Sequence, residues 1–164
     1  MKPGERIMTI DYIKLLNPTA FSPVDTILEW RSEGVRMVGN DCKTKKIEYC
    51  LSKLVLEDES VDKVIIHCNR YFDINPEVVI YEAKRVLKKN GRIFLSFYHD
   101  EEIGVVSKWL SRLRTKSRWS MDQVAEIINN SDLLIDKNII VENDLMYFEV
   151  IKLENEKLGQ MIWS

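Results

Sequence analysis

Apolar and polar positions along the chain divide it into short strand-like runs and amphipathic helical stripes. Arg6 to Asp11 reads as a first strand, followed by a long loop. Ser22-Pro23-Val24-Asp25 then reads as a helix start, with Ser22 as cap and Pro23 in the first turn. Val24, Ile27 and Leu28 share one helical face, and Gly34 is the stop. Val35 to Gly39 is predicted as a second strand ending at Asn40-Asp41, and Lys46 to Cys50 as a short third. Only the polar turn Cys42-Lys43-Thr44-Lys45 separates Asp41 from that third strand. A helical crossover between parallel strands needs about a dozen residues. The pattern therefore predicts a truncated sheet edge, with Lys46 to Cys50 hairpin-paired, linked by an extended crossover, or outside the sheet.

The acidic loop Glu57-Asp58-Glu59-Ser60 leads into Val61 to Ile66, whose near-continuous apolar end predicts a strand covered on both faces, closed by His67. The next helix has Asn75 as cap and Pro76 at its first position. Val79, Ala83, Val86 and Leu87 form its stripe, and Asn90-Gly91 its stop, with Gly91 expected at φ > 0. Arg92 to Phe97 is another strand. Strand, helix, strand units of this kind demand parallel pairing and right-handed crossovers, so the class is α/β with a doubly wound, mostly parallel sheet. Glu101 to Arg114 is predicted helical through Ile103, Val106, Leu110 and Leu113, and Ser120-Met121-Asp122-Gln123 is a capping box for a helix reaching Asn129. Leu133 to Val141 and Leu145 to Leu153 read as a closing antiparallel hairpin around Glu142-Asn143-Asp144. One domain over residues 1–153 and a tail over 154–164 are expected.

Composition narrows the classes. At 164 residues with a formal net charge of −2, the chain fits one core and carries no global field toward nucleic acid or anionic lipid. It has no apolar run long enough to cross a bilayer and no signal pattern, so a soluble cytoplasmic protein without a membrane partner is expected. Cys42, Cys50 and Cys68 fit neither a disulfide framework nor a C-x-x-C motif, which predicts reduced thiols.

The segments LVLEDESVDKVII and EAKRVLKKNGRIFLSFY resemble the class I S-adenosylmethionine-dependent methyltransferases of small-molecule type. MKPGERIMTID looks like that family's approach to its first strand, and MVGND like its second strand with an acidic end. The resemblance implies a Rossmann-like, seven-stranded sheet whose last strand is antiparallel, and S-adenosylmethionine as cofactor. It also implies that Asp41 accepts hydrogen bonds from the ribose hydroxyls, with Asp11 at the end of strand one, if the cofactor binds. The family's cofactor lies on a glycine-rich turn after strand one, where backbone without side chains lets it approach. Tyr12-Ile13-Lys14-Leu15-Leu16-Asn17-Pro18 follows Asp11 here, and Leu51 and Ser52 stand where the family places an acid for the adenine amino group. The cofactor site is therefore expected to be eroded and the protein to be a non-catalytic binding or regulatory protein with a protein or small-molecule partner. The alternative is an active methyltransferase that holds the cofactor through Asp41 and backbone groups.

Ligands of open α/β sheets bind outside the carboxyl ends of the strands. Asp11, Asp41, His67 with Asn69, Arg70 and Tyr71, and His99 with Asp100 fall at or just after predicted strand ends. His67 or His99 could serve as a general base, Arg70 could hold a carboxylate, and Tyr71 stands beside it. The competing reading is that polar residues gather wherever strands end. Lys108 to Trp119 interleaves basic residues with two tryptophans, a pattern that grips phosphates and stacks on bases and gives a third reading, a nucleic-acid-binding protein, or else the wet face of a helix. Glu57-Asp58-Glu59 reads as a solvated loop, and no metal site is expected.

Overall fold

The computed structural model describes residues 9–39, 44–50, 53–69, 72, 74–98, 119–141 and 145–154. Its sheet has seven strands: β1 (Ile27–Arg31), β2 (Gly34–Val38), β3 (Thr44–Ile47), β6 (Val61–Cys68), β7 (Leu87–Tyr98), β8 (Leu134–Val141) and β9 (Leu145–Ile151). A separate small hairpin joins β4 (Tyr49–Cys50) and β5 (Lys53–Leu54). The helices are α1 (Ile10–Leu16), α2 (Pro76–Val86) and α3 (Met121–Asn130). No described helix is long and apolar enough to cross a membrane.

Across the sheet the order is β3-β2-β1-β6-β7-β9-β8. Setting the small hairpin aside, this is the doubly wound order 3-2-1-4-5-6 with one antiparallel strand inserted before the last. β1, β6 and β7 are parallel neighbours, while β2 and β9 run against them. β3 and β8 pair antiparallel with β2 and β9, so they run with the majority. The α/β class and the closing hairpin are as the sequence predicts, but the sheet is mixed, since β1–β6 and β6–β7 are parallel pairs and the other four pairings are antiparallel. β2 and β3 pair as a hairpin with Met37 opposite Lys45, in agreement with the short Asp41–Lys45 connection. The predicted strand Lys46–Cys50 is divided between β3 and β4.

The amino-terminal third departs from the sequence pattern. Residues 10–16 are helix, not the end of a strand: Thr9 caps it by accepting from the Tyr12 amide at 3.2 Å, and Ile13 is its fully buried residue. Asp11 therefore lies exposed in the first turn of α1. The predicted helix from Ser22 is a turn followed by β1. Asp25 accepts from the Ser22 amide at 2.7 Å and its own amide donates to the Ser22 carbonyl, so serine and proline punctuate a tight turn instead of a helix. Beyond it, Leu28 and Trp30 point to one face and Ile27, Glu29 and Arg31 to the other, a period of two.

The two faces are covered unequally. Leu28, Trp30, Ile66, Leu95, Phe97 and Phe148 pack under α2 and α3 in the larger core. Ile27, Ile65, Phe94 and Tyr147 form a smaller core under α1 and the Ala20-Phe21 loop. α1 is held down at its end, where Asn17 Nδ2 donates to both oxygens of the buried Glu149 at 3.3 and 3.2 Å. The Tyr147 hydroxyl donates to the same carboxylate at 2.7 Å.

Helix α2 is built as its sequence reads. Asn75 accepts from the Glu77 amide at 2.9 Å, Pro76 opens the helix, and Val79, Ala83 and Val86 are buried. Its end differs: the helix stops at Val86, and Leu87 already belongs to β7. The Lys152 ammonium satisfies the terminal carbonyls of Lys84 and Leu87 at 2.7 and 2.6 Å. The left-handed residue is Asn90, at φ 64°, and not Gly91. Gly91 is required for space instead, because a Cβ there would lie 2.8 Å from the Asp62 carbonyl oxygen and 2.7 Å from Leu87 Cγ. Gly91→Ala is expected to lower stability by about 1–3 kcal/mol through overpacking. Asn90→Gly should be nearly neutral, and Asn90→Val should cost about 1–2 kcal/mol. Urea unfolding of the three variants checks this ordering, and a neutral Gly91→Ala would show that β6 and β7 do not pack this closely.

Candidate functional site

In a doubly wound sheet the binding crevice opens where the strand order reverses, here between the carboxyl ends of β1 and β6. β1 ends at Arg31 and the chain reverses through Ser32 and Glu33, with Arg31 paired to Gly34. Gly34 takes φ +140°, which a side chain rarely allows, and this makes so short a reversal possible. No helix follows β1. Asn69, directly after β6, reaches across and donates to Ser32 Oγ at 3.0 Å, tying the two strand ends together. On the α2 face, Trp30 meets Phe72 edge-on at 6.4 Å, and Phe72 meets Trp119 at 5.7 Å. Trp30, Phe72 and Trp119 are all buried, so aromatic rings fill this end of the sheet.

Reversal of β2 also moves its far end. Val38 pairs with Ile27, at the amino end of β1 and therefore away from the crevice. Asp41, Leu51, Ser52, Arg70, Tyr71, His99 and Asp100 lie outside the described residues, as do Glu101 to Arg114 and the basic run up to Arg118. Of the candidate residues, Asp11, His67 and Asn69 are described; His67 and Asn69 stand together at the end of β6, and Asp11 is not brought to them. Asp11 belongs to α1, as above. His67 is 3% exposed within β6, with Nδ1 2.7 Å from the fully buried Ser96 hydroxyl and its ring 6.4 Å from Tyr98. The pair is a hydrogen-bonded imidazole and hydroxyl on the α1 face of the sheet. Trp119, one of the two tryptophans of the basic run, is enclosed by Phe72 and Phe97 and has no face open for stacking on a base.

A second polar group is one that helix periodicity hid. Glu29 is 3% exposed in the middle of β1, and its Oε2 accepts from Arg36 Nε on β2. Arg31 approaches the same oxygen to 3.7 Å. Arg36 stands opposite Glu29, and Lys46 on β3 stands opposite Arg36, so the three cross adjacent strands as one row. These residues border a cavity of about 430 Å³ with Arg31, Glu33, Gly34 and Val35. The alternation Ile27/Glu29/Arg31 against Leu28/Trp30 was the available signal, masked by the apparent helix start at Ser22. Among the described residues no three His, Cys, Asp or Glu side chains gather as a metal site.

No family model and no curated protein matches this chain. Solved structures do match. A SAM-dependent methyltransferase from Aquifex aeolicus aligns with a TM-score of 0.50 at 17% identity, over 66% of this chain and 55% of its own. A SAM-dependent methyltransferase from Methanosarcina mazei aligns at 0.49 and 13% identity, over 64% of this chain and 65% of its own. The chain thus spans little more than half the length of the Aquifex protein. The fold is methyltransferase-like, α/β and Rossmann-like, and at these identities the likeness speaks for the fold alone.

Two consequences are measurable. Arg36→Leu leaves the buried Glu29 carboxylate with only the more distant Arg31, and it is expected to cost about 1–2 kcal/mol, moderated because Arg36 is half exposed. The double variant Glu29→Leu/Arg36→Leu should recover most of that loss in denaturant titrations; a double variant weaker than the single would show that the carboxylate is not held for its partner. Alkaline stability follows from two other groups. Burial pushes the Cys68 thiol well up, and burial with the Glu149 carboxylate pushes the Tyr147 phenol up. Both stay protonated in the fold while the unfolded chain ionises near about 8.5 and about 10. Stability is therefore full below about pH 8.5 and falls as pH rises, because the folded state binds more protons there. Urea midpoints should decline between about pH 8.5 and 11, and Cys68→Ala should remove the first part of the decline.

Proposed function

We propose that this protein is a methyltransferase-fold protein that has given up the cofactor crevice and acts by binding, as a regulatory or partner protein without catalysis of its own. The observation that carries this reading is the Ser32-Glu33 reversal bridged by Asn69. S-adenosylmethionine on this fold needs open backbone after the first strand and a helix whose amino end faces the ligand. β1 runs instead into a turn whose next residues are already β2, and the strand ends that would part around the cofactor are hydrogen-bonded to each other. The residues present do not fit the cofactor at this position. The reason differs from the sequence expectation, since Tyr12 to Leu16 belong to α1 and do not follow the first strand. The strand that would deliver an acid to the ribose runs away from the crevice.

A ligand at a hundredfold over its dissociation constant raises stability by about 2.7 kcal/mol, an unmistakable rise in melting temperature. No rise is expected with S-adenosylmethionine at about millimolar concentration, where a cofactor of micromolar affinity would produce one. Micromolar binding by calorimetry, abolished in Asp41→Ala, would replace this reading with that of an active methyltransferase.

A further inference from the structure

The charged row on β1, β2 and β3 is unexpected for stability alone. The second face of a doubly wound sheet is ordinarily apolar because crossover helices pack on it. Here the chain joins β1 to β2 by a turn, and the corresponding positions are Glu29, Arg31, Arg36 and Lys46. Burying a carboxylate among them is costly, and a row of apolar residues under a helix would be the cheaper solution. The charges are also unequally satisfied. Arg36 is neutralised by its hydrogen bond to Glu29. Arg31 Nε is shut off from water without an acceptor, and its terminal nitrogen lies 3.7 Å from Glu29, beyond hydrogen-bond length. Lys46 is exposed and makes no ion pair among the described residues.

We infer that the cavity over β1–β3 binds a small molecule through its phosphate or carboxylate group, with Arg31 and Lys46 as the cations that meet it and Glu29 as the residue that holds Arg36 and positions Arg31. About 430 Å³ is the size of a metabolite pocket. Its lining sets Arg31, Arg36 and Lys46 against Glu29 and Glu33, and with Arg36 already paired the remaining cations can meet an oxyanion. A guanidinium suits this task because it offers paired N–H donors to a planar or tetrahedral oxyanion, and Lys46 adds a point charge from the next strands over. An arriving anion meets the terminal nitrogens of the partly exposed guanidinium, not its buried Nε. This site lies on the sheet face beside the closed crevice, so it stands independently of whether the crevice takes a cofactor.

Inorganic phosphate and succinate, each titrated against chloride at constant ionic strength, are the probes. One of them should stabilise the full chain saturably. At a tenfold excess over its dissociation constant it should raise the folding equilibrium constant about elevenfold. The Gly34 and Lys46 amide resonances should shift along the same curve. Preference between the two probes tells phosphate from carboxylate. Arg31→Gln and Lys46→Gln should each weaken the response severalfold or more, while Lys45→Gln, opposite Met37 on the other face, should leave it unchanged. Lys46 is exposed on the edge strand, so its variant stays informative if Arg31→Gln folds poorly. No saturable response to either anion overturns the proposal. So does a response kept in Lys46→Gln, or one lost equally in Lys45→Gln.

Discussion

A strand that leaves its neighbour through a two-residue reversal has to return antiparallel, and at Arg31–Gly34 that constraint shapes half of this protein. A parallel return would have required a long crossover laid over one face. With only Ser32 and Glu33 between β1 and β2, β2 is inverted, and β3, hairpinned onto it, comes back into the common direction. The strand order of a doubly wound sheet survives while its first crossovers do not. Gly34 is the residue that permits this, since its φ of +140° is open to glycine and nearly closed to others.

On the other side of β1 the parallel centre of the sheet is kept, and β9 runs against it beyond β7. β6 and β7 lie at the centre, joined by α2 and buried on both faces. α2 and α3 cover one face; among the described residues the other is held by α1, about two turns of helix, tied through Asn17 to the buried Glu149. The asymmetry explains where the polar groups sit. Beneath α2 and α3 the sheet presents aliphatic and aromatic residues, whereas on the α1 side it carries Glu29, His67, Ser96 and Glu149. Each of these buried groups has a partner within hydrogen-bond reach, as burial of polar groups demands.

The same constraint bears on function. A cofactor crevice depends on two strand ends that part and a helix that begins beside them. Here the ends are tied by Asn69 and Ser32, and the space a crossover helix would have filled is a charged cavity on the sheet face. On the reading proposed above, the closed crevice and the open cavity both follow from the same two-residue reversal.

Local chemistry determined a good deal by itself. Asn75-Pro76 fixed the start of α2 because a side-chain acceptor and a pre-set φ need no tertiary help, and Ser120 did the same for α3. The apolar run Val64 to Ile66 announced a strand covered on both faces, and the brevity of Asp41–Lys45 excluded a helix before β3. The strand, helix, strand pattern around α2 pointed to the α/β class, and the resemblance of the central segments to methyltransferases implied seven strands. Local signals failed where one sequence suits two backbones. Ser22-Pro23-Val24-Asp25 suits a helix start and a turn alike, since both want a capping hydroxyl and proline's φ. Only the pairing of Ile27 to Trp30 with β6, which buries them and satisfies their backbone, decided for a strand. Ile10 to Leu16 likewise became helix where Ile13 could be buried against Ile27, Ile65, Phe94 and Tyr147. Left-handed geometry fell on Asn90 because Gly91 had to press against the Asp62 carbonyl, a contact between residues remote in sequence. Caps, turns and periodicity are settled within a few residues; which strands meet, and which charges are thereby brought to one face, is settled only when distant segments compete for the same buried surface.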